Sequence, residues 1–104
     1  MKIVFVYITT KNKTEAKKIA KVLLKERLCA CVNIFDKMSS MYWWKNKIEE
    51  ANETVLIAKT TKNNFSKLSG RVRQLHSYDC PCILQLNVTG GNTEYISWLI
   101  SNVK

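Results

Sequence analysis

The chain has 104 residues, a length that fits one hydrophobic core, so we expect a single domain over residues 1–104. Hydrophobic residues make up 46% of the chain and only four residues are Gly or Pro, which excludes long disordered linkers. The formal net charge is +9. Its surplus lies in residues 11–27 and 62–76, and this location decides what the charge can bind.

The first half of the chain predicts a strand, a helix and a second strand. Residues 2–10 are continuously apolar and rich in β-branched side chains, which is typical of a central strand. Asn12 and the glutamate three residues later form a capping box before apolar residues at helical spacing, which predicts a helix from about 13 to 27. Residues 31–44 alternate in part and predict a long strand with a bulge near Asp36.

A hairpin and a second helix follow. Residues 45–47 predict a turn, because Asn46 tolerates a left-handed backbone, and residues 48–60 predict the returning strand. Apolar residues at helical spacing predict the second helix. Its apolar face consists of Phe65, Leu68, Val72 and Leu75, and it begins at Thr61, Asn63 or Asn64.

The last segments predict a fourth strand and a short helix capped by Asn92. The order is therefore βαββαβ with an additional C-terminal helix. Right-handed crossovers put the first two helices on one face of a four-stranded antiparallel sheet, which is an α+β, ferredoxin-like architecture with strands 2 and 4 at the edges. One face of the fourth strand is predicted to carry Cys82, Leu84, Leu86 and Val88.

The predicted sheet has two apolar faces, but its helices can cover only one of them. Two helices cover a single face, yet the first strand is apolar on both, and Trp43 and Trp44 point to opposite sides of one strand. An exposed apolar face with open edges is unfavourable in a monomer. We therefore expect a tight homo-oligomer.

Five segments form a recognisable pattern: LCACVNI (28–34), SMYWW (40–44), LIAKT (56–60), HSYDCP (76–81) and GNTEYISWL (91–99). Together, in order and over nearly the whole chain, they resemble the CutA divalent-cation tolerance family. The resemblance implies a stable homotrimer similar in plan to the PII signalling proteins, and a link to copper and other divalent cations. Asp79 stands where the family has Glu, and the cysteines on either side of Pro81 are additions of this chain.

The four cysteines predict no zinc finger. Only one residue separates the members of each pair, whereas structural zinc sites favour two to four. Because strands 2 and 4 lie at opposite edges, the two pairs could meet only across subunits, a possibility that the sequence leaves open. We interpret them as reduced thiols packed like small apolar side chains. The pairs are Cys29 with Cys31 and Cys80 with Cys82.

His76, the only histidine, is the candidate metal ligand, because the family motif contains it and an imidazole binds copper, zinc or nickel. The alternative is that its side chain caps the second helix at the carbonyl end. A second group of residues is expected to line a cleft between subunits that suits a small anionic ligand. These residues are Tyr42, Trp44, Glu53, Lys59, Tyr78 and Asp79.

The sequence lacks the motifs that are typical of common enzymes, RNA-binding modules and membrane proteins. No dinucleotide, P-loop or nucleophile-elbow motif is present, so we expect no enzyme. The third strand lacks the aromatic RNA-recognition pattern, and the apolar run over residues 3–8 is too short to span a membrane, so we expect neither specific nucleic-acid binding nor membrane insertion. The predicted function is divalent-cation tolerance by a cytoplasmic homotrimer that binds copper or another divalent cation. The alternative is a non-metal trimeric signalling or small-ligand-sensing protein resembling PII.

Overall fold

The computed structural model describes residues 2–104 and contains four strands and three α-helices in that part of the chain. A single 3₁₀ turn, Lys62–Asn64, precedes the second helix. The elements are β1 (Ile3–Thr10), α1 (Lys13–Lys25), β2 (Cys31–Trp44), β3 (Lys47–Thr61), α2 (Phe65–Leu75), β4 (Ile83–Val88) and α3 (Thr93–Ser101). No helix among residues 2–104 is both long and apolar enough to cross a membrane.

The sheet has the order β2-β3-β1-β4, with every neighbouring pair antiparallel. The α+β, ferredoxin-like prediction is therefore confirmed, and β2 and β4 are the edges. The core fills the space between one sheet face and helices α1 and α2, where apolar side chains from strand and helix interdigitate. Its fully buried members include Val4, Val6, Ile8, Ile19, Leu23, Leu56, Leu68 and Val72.

Helix α1 begins and ends where short-range hydrogen bonds satisfy its terminal backbone groups. Asn12 Oδ1 accepts from the Glu15 amide at 2.9 Å, as the capping box predicts. The helix stops at Lys25, earlier than predicted, because Arg27 adopts a left-handed backbone with φ 61°. Leu28 N donates to the Leu23 carbonyl at 2.9 Å, which closes a Schellman-type end.

Helix α2 begins after Asn64, the last of the three predicted candidates. Residues 62–64 form the 3₁₀ turn, and Asn64 occupies the cap position without a side-chain hydrogen bond to the helix. The C-terminal helix α3 does begin as predicted, since Asn92 Oδ1 accepts from the amides of Glu94 and Tyr95.

Beyond the edge of the core, β2 and β3 continue as a two-stranded arm, residues 38–53. A bulge between Phe35 and Met38 starts the arm at the predicted place, with Lys37 at φ 61°. The turn at its tip has two residues, Lys45 and Asn46, both with positive φ, so Lys47 belongs to β3 and not to the turn. Positive φ at both positions is the type I′ geometry that suits the twist of a hairpin.

The sheet face opposite α1 and α2 is the open face, formed mainly by alternate residues of β1, β3 and β4. On it Phe5 lies opposite Leu86, and Tyr7 lies opposite Leu84. Leu84 and Leu86 are 59% and 51% exposed. Strand β4 begins at Ile83, so Cys82 directly precedes it and is not part of the strand.

Glu15 connects the start of α1 to the segment after α2. Its carboxylate accepts from the Lys11 amide at 3.1 Å and from the Ser77 amide at 2.8 Å. Burial raises the pKa of Glu15, but the hydrogen bonds with Ser77 and Lys11 and the nearby His76 outweigh it, so the net pKa is lowered. The ionised form of Glu15 therefore stabilises the fold.

We predict that Asn46→Ala lowers the free energy of unfolding by about 1 kcal/mol, because a Cβ without a polar side chain is unfavourable in the left-handed region. Asn46→Gly should be at least as stable as the wild type, since glycine adopts positive φ freely. Urea unfolding at one fixed protein concentration compares the three chains. Equal stability of the alanine and glycine variants would contradict the turn assignment.

We predict that Glu15→Gln destabilises the chain by about 1–2 kcal/mol at pH 7, because the amide cannot accept both backbone hydrogen bonds as the carboxylate does. Since the pKa of Glu15 is lowered by folding, its contribution is present above the unfolded value and is lost as the pH falls through the folded value. The difference in stability between the wild type and the variant should therefore shrink as the pH falls below the usual glutamate range. A gap that stays constant from pH 7 to pH 3 would exclude this role for the charge.

Candidate functional site

His76 occupies the end of α2, where its backbone turns from helical to extended and its amide donates to the Val72 carbonyl. Its ring Nε2 lies 2.7 Å from the Thr9 carbonyl oxygen, and its Nδ1 accepts from the Tyr78 amide at 3.0 Å. A carbonyl can only accept a hydrogen bond, so Nε2 carries the proton and Nδ1 is the acceptor. Both ring nitrogens of the neutral imidazole are therefore engaged.

These contacts change what His76 can do. A metal would need the Nδ1 lone pair, which the Tyr78 amide occupies, so coordination requires that hydrogen bond to open. The alternative prediction was that the His76 side chain caps the carbonyl end of α2. In the structure, the ring contacts the β1 carbonyl of Thr9 and not the last carbonyls of α2. His76 as a metal ligand stays a prediction, and the observed role of its ring is to join β1 to the segment after α2.

Tyr78 extends this connection to the arm. Its ring lies 4.8 Å from the His76 ring, and its hydroxyl donates to Glu53 Oε2 at 2.7 Å. Burial, followed by the hydrogen bond and charge of Glu53, raises the pKa of Tyr78 well above its usual value. Tyr78 is therefore a neutral hydrogen-bond donor that fixes the carboxylate of Glu53, which sits on β3 opposite Met38.

A cleft of about 970 Å³ lies between the arm, β1 and the segment over residues 78–82. Five of the six residues predicted for a ligand cleft line it: Tyr42, Trp44, Glu53, Tyr78 and Asp79. Tyr7, Thr9, Met38, Met41 and Glu49 also line it, and the sequence analysis did not identify them. These residues lie on β1, β2 and β3, and the sequence could have suggested them only if the strand register had been known.

Lys59 lies apart from the other predicted cleft residues. It pairs with Phe5 near the opposite end of the β1–β3 ladder from Glu53. Its Nζ is 3.2 Å from the Tyr95 hydroxyl and lies over the rings of Phe5 and Tyr95, at 5.6 and 5.3 Å from their centroids. Lys59 thus connects α3 to the open face by hydrogen bonding and cation–π attraction.

Because Lys59 lies outside the cleft, the cleft lacks the positive charge that the sequence analysis expected there. Three carboxylates, Glu49, Glu53 and Asp79, line the cleft, and no Lys, Arg or His among residues 2–104 does so. In a chain with only eight acidic residues and a formal net charge of +9, this is a local concentration of negative charge. Within residues 2–104 of one subunit, the cleft therefore offers no positive side chain to the anionic ligand that the sequence analysis predicted.

The four cysteines occupy different surroundings. Cys29 is buried in the core, and burial raises the pKa of its thiol to about 12, so it packs as the small apolar side chain that the sequence analysis expected. Cys31 begins β2 at one edge of the sheet. Cys80 and Cys82 line the cleft at the other edge. Burial raises the pKa of Cys82, although a hydrogen bond with Thr9 opposes this effect.

One subunit does not contain a complete metal centre within residues 2–104. No three His, Cys, Asp or Glu side chains in that range are grouped closely enough to hold a metal ion together. Carboxylate oxygens are present in the cleft and suit divalent cations, so the chemistry of the donors fits such an ion. A full set of ligands would need a contribution from outside the subunit.

Comparison with known proteins agrees with the fold and with the resemblance. The family model described as CutA1 divalent ion tolerance protein matches residues 4–102. The solved divalent cation tolerance protein (Cut A1) of Thermus thermophilus is 42% identical, with a TM-score of 0.96 over 98% of this chain and 99% of that chain.

The names of two further relatives include a cellular compartment. The structure described as the periplasmic divalent cation tolerance protein CutA from Archaeoglobus fulgidus is 40% identical, with a TM-score of 0.95 over 98% of this chain and 99% of that chain. The chloroplastic Protein CutA 1 of Oryza sativa subsp. japonica is 37% identical over 101 residues, which are 97% of this chain and 57% of the relative. The chain described here belongs to the CutA1 family of divalent ion tolerance proteins.

Proposed function

We propose that this chain is a non-catalytic, cytoplasmic protein of the cellular response to divalent cations, and that it assembles as a homotrimer with a cation site in the cleft between subunits. The observation that carries the proposal is the charge of the cleft. Glu49, Glu53 and Asp79 line it, and no basic side chain of the described subunit does. Carboxylates in a partly closed cleft attract cations, because the local dielectric is lower than in water.

The open face supports the assembly. Leu84 and Leu86 are more than half exposed next to the aromatic side chains of β1. At the tip of the arm, Trp43 is 72% exposed and Trp44 is 56% exposed. Apolar surfaces of this kind normally mark an interface between proteins. The number of three subunits comes from the family resemblance, and burial of these surfaces in a trimer would place the cleft at subunit boundaries.

The donor atoms favour an oxygen-ligated divalent cation in this site. Glu53 is held by Tyr78, which leaves its second oxygen free to bind. Copper(II) heads the affinity order of the divalent first-row metals and also accepts carboxylate ligands, so copper remains within the proposal. His76 supports the site by holding Tyr78, and direct coordination by His76 remains the alternative that the sequence analysis predicted.

A second candidate function is small-ligand sensing by a trimer resembling the PII proteins. The observation that favours it is the size of the cleft, about 970 Å³, with aromatic side chains such as Tyr42 and Trp44 in its wall. Pockets for organic ligands typically have about 300–1,000 Å³ and aromatic linings. A cation held by the carboxylates and an organic ligand against the aromatic wall are compatible with one another.

We predict that the chain sediments at three times the 12.0 kDa mass of one subunit. Leu84→Glu combined with Leu86→Glu should dissociate the assembly, because six buried charges would face apolar side chains in a trimer. Leu24→Glu is the matched control, since Leu24 is an exposed leucine on α1, away from the open face. Analytical ultracentrifugation and circular dichroism together separate dissociation from unfolding. A stable wild-type monomer, or an assembly indifferent to the double variant, would refute the proposed interface.

We predict that Mn(II), a redox-stable probe with a preference for oxygen ligands, binds the wild type and that Glu53→Gln weakens binding at least about tenfold, or ~1.4 kcal/mol. The amide removes the charge but can still accept the Tyr78 hydrogen bond. His76→Ala should weaken binding less, because His76 acts through Tyr78. Titration calorimetry measures all three affinities.

Glu94→Gln is the charge-matched control for this titration, because Glu94 lies in the first turn of α3, outside the cleft. It should bind Mn(II) as the wild type does. A loss in His76→Ala as large as that in Glu53→Gln would make His76 the direct ligand. No difference between Glu53→Gln and Glu94→Gln would rule out the cleft as the cation site.

A further inference from the structure

We infer that Cys80 and Cys82 form a binding site for monovalent copper, Cu(I), with the thioether sulfurs of Met38 and Met41 on the facing wall. All four sulfur-bearing side chains line the same cleft. The inference deepens the proposed function, on which its biological role rests, because it assigns a second oxidation state of copper to a separate set of donors. These donors are sulfur atoms, whereas the divalent cation is assigned to the carboxylates.

The backbone between the two cysteines favours their use as a pair. Pro81 has a fixed φ and restricts the preceding residue to an extended conformation, so Cys80 has little freedom. The chain bends at Cys80, and a single residue separates Cys80 from Cys82, which directly precedes β4. Cys80 and Cys82 are both free thiols on the cleft wall. We therefore assign both thiols to one soft metal ion.

Contacts to β1 anchor the thioether of Met38 and the thiol of Cys82 in the same cleft. The Tyr7 hydroxyl donates to Met38 Sδ at 3.6 Å, and the Cys82 side chain is hydrogen-bonded to Thr9. Tyr7 and Thr9 are two residues apart on one strand and therefore share a face of the sheet. Both sulfur-bearing side chains are thus held by residues on the same face of β1.

The donor set selects a soft ion with few ligands. Zinc sites require three or four protein ligands, and no three His, Cys, Asp or Glu side chains among residues 2–104 lie close enough together to hold a metal ion. Thiolate and thioether sulfurs are the ligands that select Cu(I) over harder cations. Binding is a ligand exchange without electron transfer: each thiol releases its proton to solvent, two S–Cu bonds form, and copper enters and stays as Cu(I).

The experiment is an anaerobic competition between the reduced protein and the chromophoric Cu(I) chelator bicinchoninate. The wild type should withdraw one Cu(I) per subunit. Cys80→Ser combined with Cys82→Ser should weaken Cu(I) binding by at least about 100-fold. Cys80→Ser alone should also lose most of the affinity, and because Cys80 is exposed this variant should keep the fold. Met38→Leu combined with Met41→Leu should give a smaller loss.

Cys31→Ser is the matched control, because Cys31 begins β2 at the opposite edge of the sheet, and it should bind Cu(I) as the wild type does. The double serine variant should retain wild-type Mn(II) affinity and wild-type sedimentation. Equal Cu(I) affinities of the wild type and the double serine variant would overturn the inference, and they would leave the Mn(II) result, and with it the proposed function, unaffected.

Discussion

Strand β1 is apolar on both faces, and this constraint determines most of the molecule. Val4, Val6 and Ile8 are completely buried beneath α1 and α2. Phe5 and Tyr7 point the other way, onto the open face, where the fold of one chain supplies only α3 as a partial cover. A strand that is apolar on both sides belongs at the centre of a sheet with two packed layers. The second layer of this protein is therefore expected to come from other subunits.

The segment between α2 and β4 connects the parts of the chain that form the candidate site. The Glu15 carboxylate accepts from the Ser77 amide, the His76 ring donates to the Thr9 carbonyl, and the Tyr78 hydroxyl donates to Glu53. These hydrogen bonds tie α1, β1 and the arm to one short segment, so the cleft has walls from parts of the chain far apart in sequence. The charges are also separated: α1 and α2 carry a surplus of basic residues, whereas the charged residues that line the cleft are carboxylates.

The sequence was sufficient to predict the order of elements, because apolar periodicity, the Asn12 cap and the left-handed tendency of Asn46 are local signals. The separation of Lys59 from Glu53 was predictable, because both lie on the strand predicted over residues 48–60 and six residues of a strand span about 20 Å. The position of Lys59 opposite Phe5 was not, because it depends on the β1–β3 register, which no local pattern fixes. The ring contacts of His76 depend on a strand 67 positions earlier in the chain, so its engagement could not be inferred from neighbouring residues.

The central claim is that a divalent cation binds in the carboxylate cleft at a subunit boundary. The most direct measurement is a crystal structure of the protein grown with Mn(II), with the anomalous signal of manganese used to locate the ion. The account predicts one peak per cleft within coordination distance of Glu53 and of a side chain from a neighbouring subunit. A peak remote from the cleft, or clefts without manganese at a concentration that saturates binding in solution, would contradict it.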